Sequence, residues 1–303
     1  SVGLLMRAAQ SDDPYVSANA MESLSQVAPA EGRPYFRAAL SSDYPLARSA
    51  ALKALGKLRD TSALPLIRQQ LANSSKLVQL AAAYAAYRCG ETARAAMLVD
   101  ALDSHPEENV RAEAARLLGL LDEPRAKKRL KAALRQRANE RSSKVRLEIW
   151  TALARLGDDD AVHELIYAAQ GTPEARVVAL QSLAELAPET ARDALIYRFD
   201  LDDEYLVNQL IAARGLARLH DPRGYELALK STHYEGVDPD DPEDAARVRV
   251  NAALTLGEIG KLDALDRLRT IAANEDDPRL QIAACFAICR ILEQTEPSAA
   301  IAR

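Results

Sequence analysis

The stretch ENVRAEAARLLGLLDEP, from Glu108 to Pro124, decides the fold. Counting from Val110 as position 0, apolar residues fall at positions +4, +7, +8 and +11, which is one face of a helix with 3.6 residues per turn. The segment contains no aromatic residue, no histidine and no cysteine. Its alanine, leucine and charged residues therefore predict a packing helix rather than a chemical site.

The same pattern recurs along the whole chain. Position 0 falls at Val16, Ala47, Val78, Val110, Val145, Ala175, Asn208, Val248 and Leu280. Position +4 is a small residue in eight of these nine copies, so we expect two helix backbones to approach closely there. Positions +8 and +11 are apolar throughout, and we expect them to fill the groove beside that contact.

A second amphipathic segment precedes each copy, for example AVHELIYAA before the copy at Ala175. In the turns, Asp60, Asp122 and Asp221 are predicted to cap the helices that follow them. A lone hairpin of about 31 residues cannot bury both of its faces, so neighbouring hairpins must stack.

The prediction is therefore an all-α fold, a right-handed α-solenoid of about nine helix hairpins. We expect a single domain over residues 1–303, with an insertion at 231–247 and a short C-terminal tail at 293–303. Stacked at about 9 to 10 Å per pair, the hairpins would form a curved rod about 80 to 90 Å long.

Composition limits the possible functions. The formal net charge of -5, from 39 basic and 44 acidic residues, does not favour nucleic acid as a partner. No apolar run is long enough to span a bilayer. We interpret Cys89, Cys285 and Cys289 as buried, reduced thiols, which favours a cytoplasmic location.

The chain starts at Ser1 and enters an apolar segment, VGLLM, at once. An apolar end without a polar cap is normally covered in a repeat array. We therefore expect a missing segment or another subunit to cover it, and the protein to be part of a larger chain or complex.

Three segments carry a family resemblance: NVRAEAARLLGLL, DDPRLQIAACFAICRIL and PLARSAALKALGKL. They resemble the short HEAT repeats of the phycobilin-lyase-like class. The resemblance implies that the second helix of each hairpin lines a concave face. It also implies that an arginine at position +1 pairs with an aspartate of an adjacent turn. Arginine occupies that position five times, at Arg48, Arg111, Arg146, Arg176 and Arg249.

A narrow strip at positions +3, +6 and +10 of the second helices stays polar, and the resemblance places it on the concave face. Eight of the 18 residues at +6 and +10 are basic and three are acidic. Leu254, Phe286 and Tyr84 are expected to be exposed there as apolar or stacking contacts. The predicted partner-binding residues are Lys53, Lys57, Tyr84, Arg88, Arg116, Arg155, Arg214, Arg218, Phe286 and Arg290.

The strip predicts a non-catalytic scaffold or adaptor that binds a protein or an acidic peptide. Two alternatives stay open: a solvated face whose charges pair locally, as Glu113 with Arg116, and a phycobilin-lyase-like subunit that handles a chromophore. We predict no cofactor and no metal. The one His-Glu dipeptide, His163–Glu164, is too little for the iron centre of deoxyhypusine hydroxylase, a HEAT-repeat enzyme of similar repeat type.

Two further segments are candidate binding sites. The stretch 125–146 holds ten basic residues against one acid, Glu140, and is a candidate for phosphate contacts. The segment 235–244 holds six acids, which either cap a helix in a solvated loop or dock a basic partner.

Overall fold

The computed structural model describes residues 1–121, 123–202, 204–237 and 241–295, and within these ranges the chain is helical and has no strand. The helices are α1 (Val2–Ala8), α2 (Pro14–Val27), α3 (Pro29–Ala39), α4 (Pro45–Lys57), α5 (Leu64–Gln70), α6 (Lys76–Arg88), α7 (Ala95–Ser104), α8 (Glu108–Gly119), α9 (Pro124–Leu134), α10 (Arg137–Glu140), α11 (Ser143–Arg155), α12 (Asp159–Ala168), α13 (Pro173–Leu186), α14 (Arg192–Asp200), α15 (Leu206–Arg218), α16 (Tyr225–Ser231), α17 (Pro242–Ile259), α18 (Leu265–Asn274) and α19 (Pro278–Thr295). None of these described helices is long and apolar enough to cross a lipid bilayer.

The helices alternate between two roles, as expected of an all-α solenoid. The helices that carry the repeated pattern pack against one another in sequence, and we call them the inner helices. They are α2, α4, α6, α8, α11, α13, α15, α17 and α19. The remaining helices, which we call outer, pack mainly on the inner helices of their own or a neighbouring hairpin.

Predicted core positions are buried where inner helices meet. Every residue at position +4, from Ala20 to Ala284, and every residue at position +8, from Leu24 to Ile288, is buried. Position +11 is mostly half-buried, and of its nine residues only Leu121 and Ile291 are fully inside. That expectation was too strong, because +11 lies at or just beyond the ends of the inner helices.

Adjacent inner helices also approach closely at position +9. A Cβ added to Gly119 would lie 2.7 Å from the Cα of Ala152 on the next inner helix, and one on Gly257 would lie 2.6 Å from the Cα of Ala287. Contacts this short leave no room for a side chain. Glycine at position +9 thus lets neighbouring hairpins stack tightly. The small residues at position +4 did not predict this second close approach.

The array closes on itself. One face of α19 packs on the preceding hairpin, through residues such as Leu280 and Ile288. Its other face, with Ile282 and Cys285, belongs to the core cluster that contains Leu5 of α1 and Met21 of α2. The inner helices therefore form a ring in which the last contacts the first.

This closure corrects two expectations. The hairpins do not form an open rod about 80 to 90 Å long, because each end of the stack covers the other. The apolar segment VGLLM is covered by α19 of the same chain rather than by a missing segment or another subunit.

Two of the predicted helix caps are wrong. Asp60 is buried and accepts hydrogen bonds from Arg37 and Ser62 instead of from a helix amide, because a 3₁₀ turn at Thr61–Ala63 separates it from α5. Asp221 accepts a hydrogen bond from the Arg223 amide, but α16 begins two residues later. Asp122 lies outside the described residues.

The insertion and the tail also differ from the prediction. The last residues of the insertion at 231–247 form the first turns of α17, which begins at Pro242, while 238–240 lie outside the described residues. The first residues of the predicted tail at 293–303 continue α19 to Thr295, and residues 296–303 are not described.

Candidate inner-surface binding site

The polar strip of the inner helices faces the interior of the ring. Lys53 Nζ on α4 lies 3.8 Å from Glu113 Oε1 on α8, so the pair reaches past the intervening helix α6. Burial lowers the pKa of Lys57 on α4, while the carboxylates of Glu22 on α2 and Glu185 on α13 oppose that shift. Side chains from distant hairpins therefore share one inner surface, which we call the ring lining.

Most of the cations in the ring lining are already paired. Arg116 Nη2 lies 2.7 Å from Glu113 Oε1, and Arg155 Nη2 lies 2.9 Å from Glu185 Oε1. Glu258 Oε1 pairs with two arginines: it lies 3.0 Å from Arg218 Nε and 3.1 Å from Arg290 Nη2. With Lys53, five of the eight predicted basic residues make ion pairs. The continuous basic groove is therefore corrected to a largely charge-balanced surface.

Two acids at position +3, Glu113 and Glu148, account for part of this balance. Burial alone would raise the pKa of Glu113, but Arg116 and Lys53 lower it below its usual value. Burial raises the pKa of Glu148, and Arg116 only partly offsets that effect. The sequence places both acids on the strip, but the charge count used only positions +6 and +10.

Position +10 lies in the last turn of most inner helices, where the helix dipole favours a positive charge. Lys57, Arg88, Arg155 and Arg218 all lie there. Arg88 Nη1 also donates to the Leu120 carbonyl oxygen at 3.2 Å, joining two hairpins. Helix stabilisation therefore explains much of the basic character of this position.

Arg214, at position +6 of α15, has no such explanation. It is half-buried, and it makes no hydrogen bond or ion pair within the described ranges. Burial, together with the Arg218 guanidinium, lowers the pKa of Arg214 to about 10, while Glu258 and Glu185 act in the opposite direction. The guanidinium still carries its charge at neutral pH, and it does so without a direct partner.

The predicted aromatic contacts are not available to a partner. Tyr84 and Phe286 are both buried, and Leu254 is half-buried. The ring of Tyr84 fills space beside Gly56 of the preceding inner helix, where an added Cβ would lie 2.7 Å from a ring carbon. Tyr84 and Phe286 are therefore packing residues, and the expectation that they are exposed was wrong.

The basic stretch 125–146 is partly neutralised. Lys127 Nζ and Lys131 Nζ lie 3.2 and 2.6 Å from Asp158 Oδ2. The Arg146 guanidinium lies 4.6 Å from the centre of the Trp150 ring. The Asp158 contacts tie the outer helix α9 to the turn before α12, and the Arg146 contact lies within α11, which favours a structural role for these three cations. Phosphate binding by the stretch stays a prediction.

The acids of segment 235–244 that the structure describes are mostly engaged. Asp241 caps α17 by accepting from the Asp244 amide. Glu243 pairs with Arg279 at 2.7 Å, and Asp244 accepts hydrogen bonds from the hydroxyl groups of Tyr205 and Tyr234. This arrangement favours helix capping over a docking site for a basic partner.

A family model described as HEAT repeats matches residues 2–88 and 95–177, which is more than half of the chain. The chain is a HEAT-repeat protein. A model described as PBS lyase HEAT-like repeat matches residues 248–274 in addition. No curated protein matches this HEAT-repeat protein.

Two solved structures are similar to it. One is the complex of CpcE and CpcF of phycocyanin lyase from Nostoc sp., with 22% identity over 83% of this chain and 93% of that chain and a TM-score of 0.47. The other is human deoxyhypusine hydroxylase in complex with glycerol, with 20% identity over 89% and 99% of the two chains and a TM-score of 0.39. Neither likeness supports a conclusion about this chain, and the chromophore-handling alternative stays a prediction.

Position +1 ties most hairpins of this HEAT-repeat protein to the turn before them. In seven hairpins its side chain donates to carbonyl oxygens of that turn. The pairs are Ser17 to Ala9, Arg48 to Asp43, Gln79 to Asn73, Arg111 to His105 and Pro106, Arg176 to Gly171, Gln209 to Phe199 and Leu201, and Gln281 to Glu275. Three of the five arginines, Arg48, Arg111 and Arg176, are among these donors.

The acidic residues that pair with the arginines at position +1 are glutamates and not the aspartates that the resemblance implied. Arg176 and Arg249 pair with Glu204 and Glu275 of the following turns. Glutamine replaces arginine at three positions because the carbonyl contacts need a donor and not a charge.

The remaining candidate groups lie apart from one another. His163 and Glu164 are both exposed on the outer helix α12. Cys285 and Cys289 are buried free thiols, as predicted, whereas Cys89 is half-buried and free. No group of three His, Cys, Asp or Glu side chains suited to a metal ion occurs in the part of the chain that the structure describes.

Proposed function

We propose that this protein is a non-catalytic scaffold that binds an acidic segment of a partner protein at the ring lining. The observation that carries the proposal is Arg214, a charged, half-buried guanidinium without a direct ion-pair partner in the described structure. A guanidinium that is partly removed from water loses part of its solvation free energy, and a bound carboxylate would offset that loss. Free cysteines support a reducing compartment such as the cytoplasm.

Lys57 and Arg88 lie one helical turn from the level of Arg214, on other inner helices, and neither makes an ion pair in the described ranges. Together the three cations leave the ring lining with more positive than negative groups. A planar guanidinium that binds a carboxylate through two hydrogen bonds gives direction as well as charge. The site therefore suits a short extended segment that places glutamate or aspartate inside the ring.

The test measures binding of a fluorescein-labelled peptide of about twelve residues rich in glutamate, by fluorescence anisotropy at low salt. Arg214→Gln should weaken binding about tenfold or more, because a charge-assisted hydrogen bond contributes about 1.5 to 3 kcal/mol. The matched control is Arg125→Gln, which removes an equal charge from an exposed position of the outer helix α9.

Stability separates a binding role from a structural one. Arg214→Met should keep or raise the melting temperature while it weakens peptide binding, because the substitution removes a half-buried charge that no carboxylate pairs. Three results would contradict the proposal: no binding by the unaltered protein, equal losses in Arg214→Gln and Arg125→Gln, or equal binding of a peptide with glutamine in place of glutamate.

A further inference from the structure

The inner helices all begin at the same edge of the ring, which we call the start rim. We define it by position -1, the residue directly before each repeated pattern. The nine residues are Tyr15, Leu46, Leu77, Asn109, Lys144, Glu174, Val207, Arg247 and Arg279. Because the hairpins are equivalent, this column compares one structural position nine times.

Three consecutive hairpins place an exposed apolar residue at this position. Tyr15 is 69% exposed, Leu46 is 41% exposed and Leu77 is 40% exposed, and Tyr44 beside Leu46 is exposed as well. Single exposed apolar residues are ordinary on a protein surface, but a contiguous run at equivalent positions is not. We call these four residues the apolar strip.

The fold does not require apolar residues there. Asn109, Lys144 and Glu174 occupy the same position in the next three hairpins. Val207 is the one apolar residue of the column outside the first three hairpins, and it is buried. The apolar strip is therefore a property of the first three hairpins and contributes little to their packing.

Acidic side chains flank the apolar strip. Asp12, Asp43 and Glu107 are exposed, and their carboxylates make no ion pair or hydrogen bond with the residues that the structure describes. Two half-buried cations also lie there, Arg48 donating to the Asp43 carbonyl oxygen and Lys76 to Gln79, but the exposed acids outnumber them. The surroundings of the strip are thus negative, and an acidic or anionic partner would be repelled.

We propose that the apolar strip docks an amphipathic helix of a partner protein, with apolar residues along one face and lysine or arginine beside them. Stacked inner helices lie about 8 to 10 Å apart, and seven residues of an α-helix advance about 10.5 Å. A helix laid across the first three hairpins would therefore meet Tyr15, Leu46 and Leu77 with residues seven apart. The partner's basic residues would face Asp12, Asp43 and Glu107.

This docking surface is independent of the ring lining. Arg214 lies inside the ring in the seventh hairpin, whereas the apolar strip lies on the start rim of the first three. The two proposals can succeed or fail separately.

The probe is a fluorescein-labelled helical peptide of about 21 residues, with leucine at every seventh position and lysine beside it. The double variant Leu46→Lys, Leu77→Lys should weaken its binding about tenfold or more, with unchanged helical circular dichroism. The matched control is the double variant Leu66→Lys, Leu262→Lys, which adds the same two charges at exposed leucines outside the strip and should bind like the unaltered protein. Binding should also weaken as salt is added, because charge attraction contributes.

Several results would overturn the proposal. One is no binding of the peptide by the unaltered protein, or equal binding of a peptide with glutamate in place of lysine. Another is a dimer, seen by light scattering, that the double variant dissociates, since a second copy would then cover the strip. A third is binding to phosphatidylserine vesicles that the double variant loses, which would assign the strip to a lipid surface.

Discussion

Closure of the ring makes a quantitative prediction at Ile282. This side chain is buried against the first hairpin, on the face of α19 that would be exposed if the array were open. Truncating a buried isoleucine to alanine costs about 2 to 5 kcal/mol. For Ile282→Ala we expect about 3 kcal/mol, since the residue is almost fully covered.

The corresponding change in melting temperature follows from chain length. Unfolding entropy near the transition is about 2.1 cal/mol/K per residue, so a loss of about 3 kcal/mol in this chain corresponds to about 5 °C. Circular dichroism at 222 nm during heating measures the shift. Guanidinium titration of the same samples gives an independent midpoint.

Two neighbouring residues on α5 provide reference values for a large and a small change in melting temperature. Ile67 is fully buried inside the array, and Leu66 beside it is exposed. In a closed ring, Ile282→Ala should lower the melting temperature about as much as Ile67→Ala. A shift as small as that of Leu66→Ala would show that the last helix is solvent-exposed on that face, and it would refute the reasoning.

Two further predictions concern packing and pH. Gly119→Ala should lower the free energy of unfolding by about 1 to 3 kcal/mol, since the new Cβ would meet the Ala152 backbone at 2.7 Å. The control is Gly3→Ala, whose new Cβ meets no atom within 4 Å and which should be neutral. Equal effects of the two substitutions in urea unfolding would contradict this prediction. Burial raises the pKa of Cys285 to about 11, so the folded state holds the thiol proton longer than the unfolded state and stability should fall as pH rises from about 9 to about 11. Cys285→Ala should flatten that part of the pH profile, and an unchanged slope would contradict it.

The hairpin fold could be predicted from the sequence because it depends on local periodicity. The residues at +4 and +8 are buried as their spacing requires, since each one faces a neighbour with the same pattern. Close approach at Gly119 and Gly257 was also present in the sequence, but it involves a different position and only some of the hairpins.

Ring closure could not be derived from local periodicity. It depends on a small rotation between neighbouring hairpins that accumulates over the whole array. One signal was available: Ile282 and Cys285 are apolar on the outward face of the last helix, where a capping repeat would be polar. They are the residues that meet the first hairpin.

The sequence predicted which residues line the candidate site but not which of their charges are free. A count of charged residues does not show which of them form ion pairs. Lys53 and Arg116 belong to the strip as expected, but both are paired with Glu113, which stands at a position left out of the count. Arg214 has the same residue type and the same position as Arg116, and only the structure distinguishes the unpaired guanidinium from the paired one.

The most direct test of the closed ring is its radius of gyration in solution, measured by small-angle X-ray scattering. A compact chain of 303 residues has a radius of gyration of about 19 Å, and we expect about 20 Å for the ring. An open stack about 80 to 90 Å long would give about 25 Å or more. The larger value would contradict the contact between the first and last hairpins.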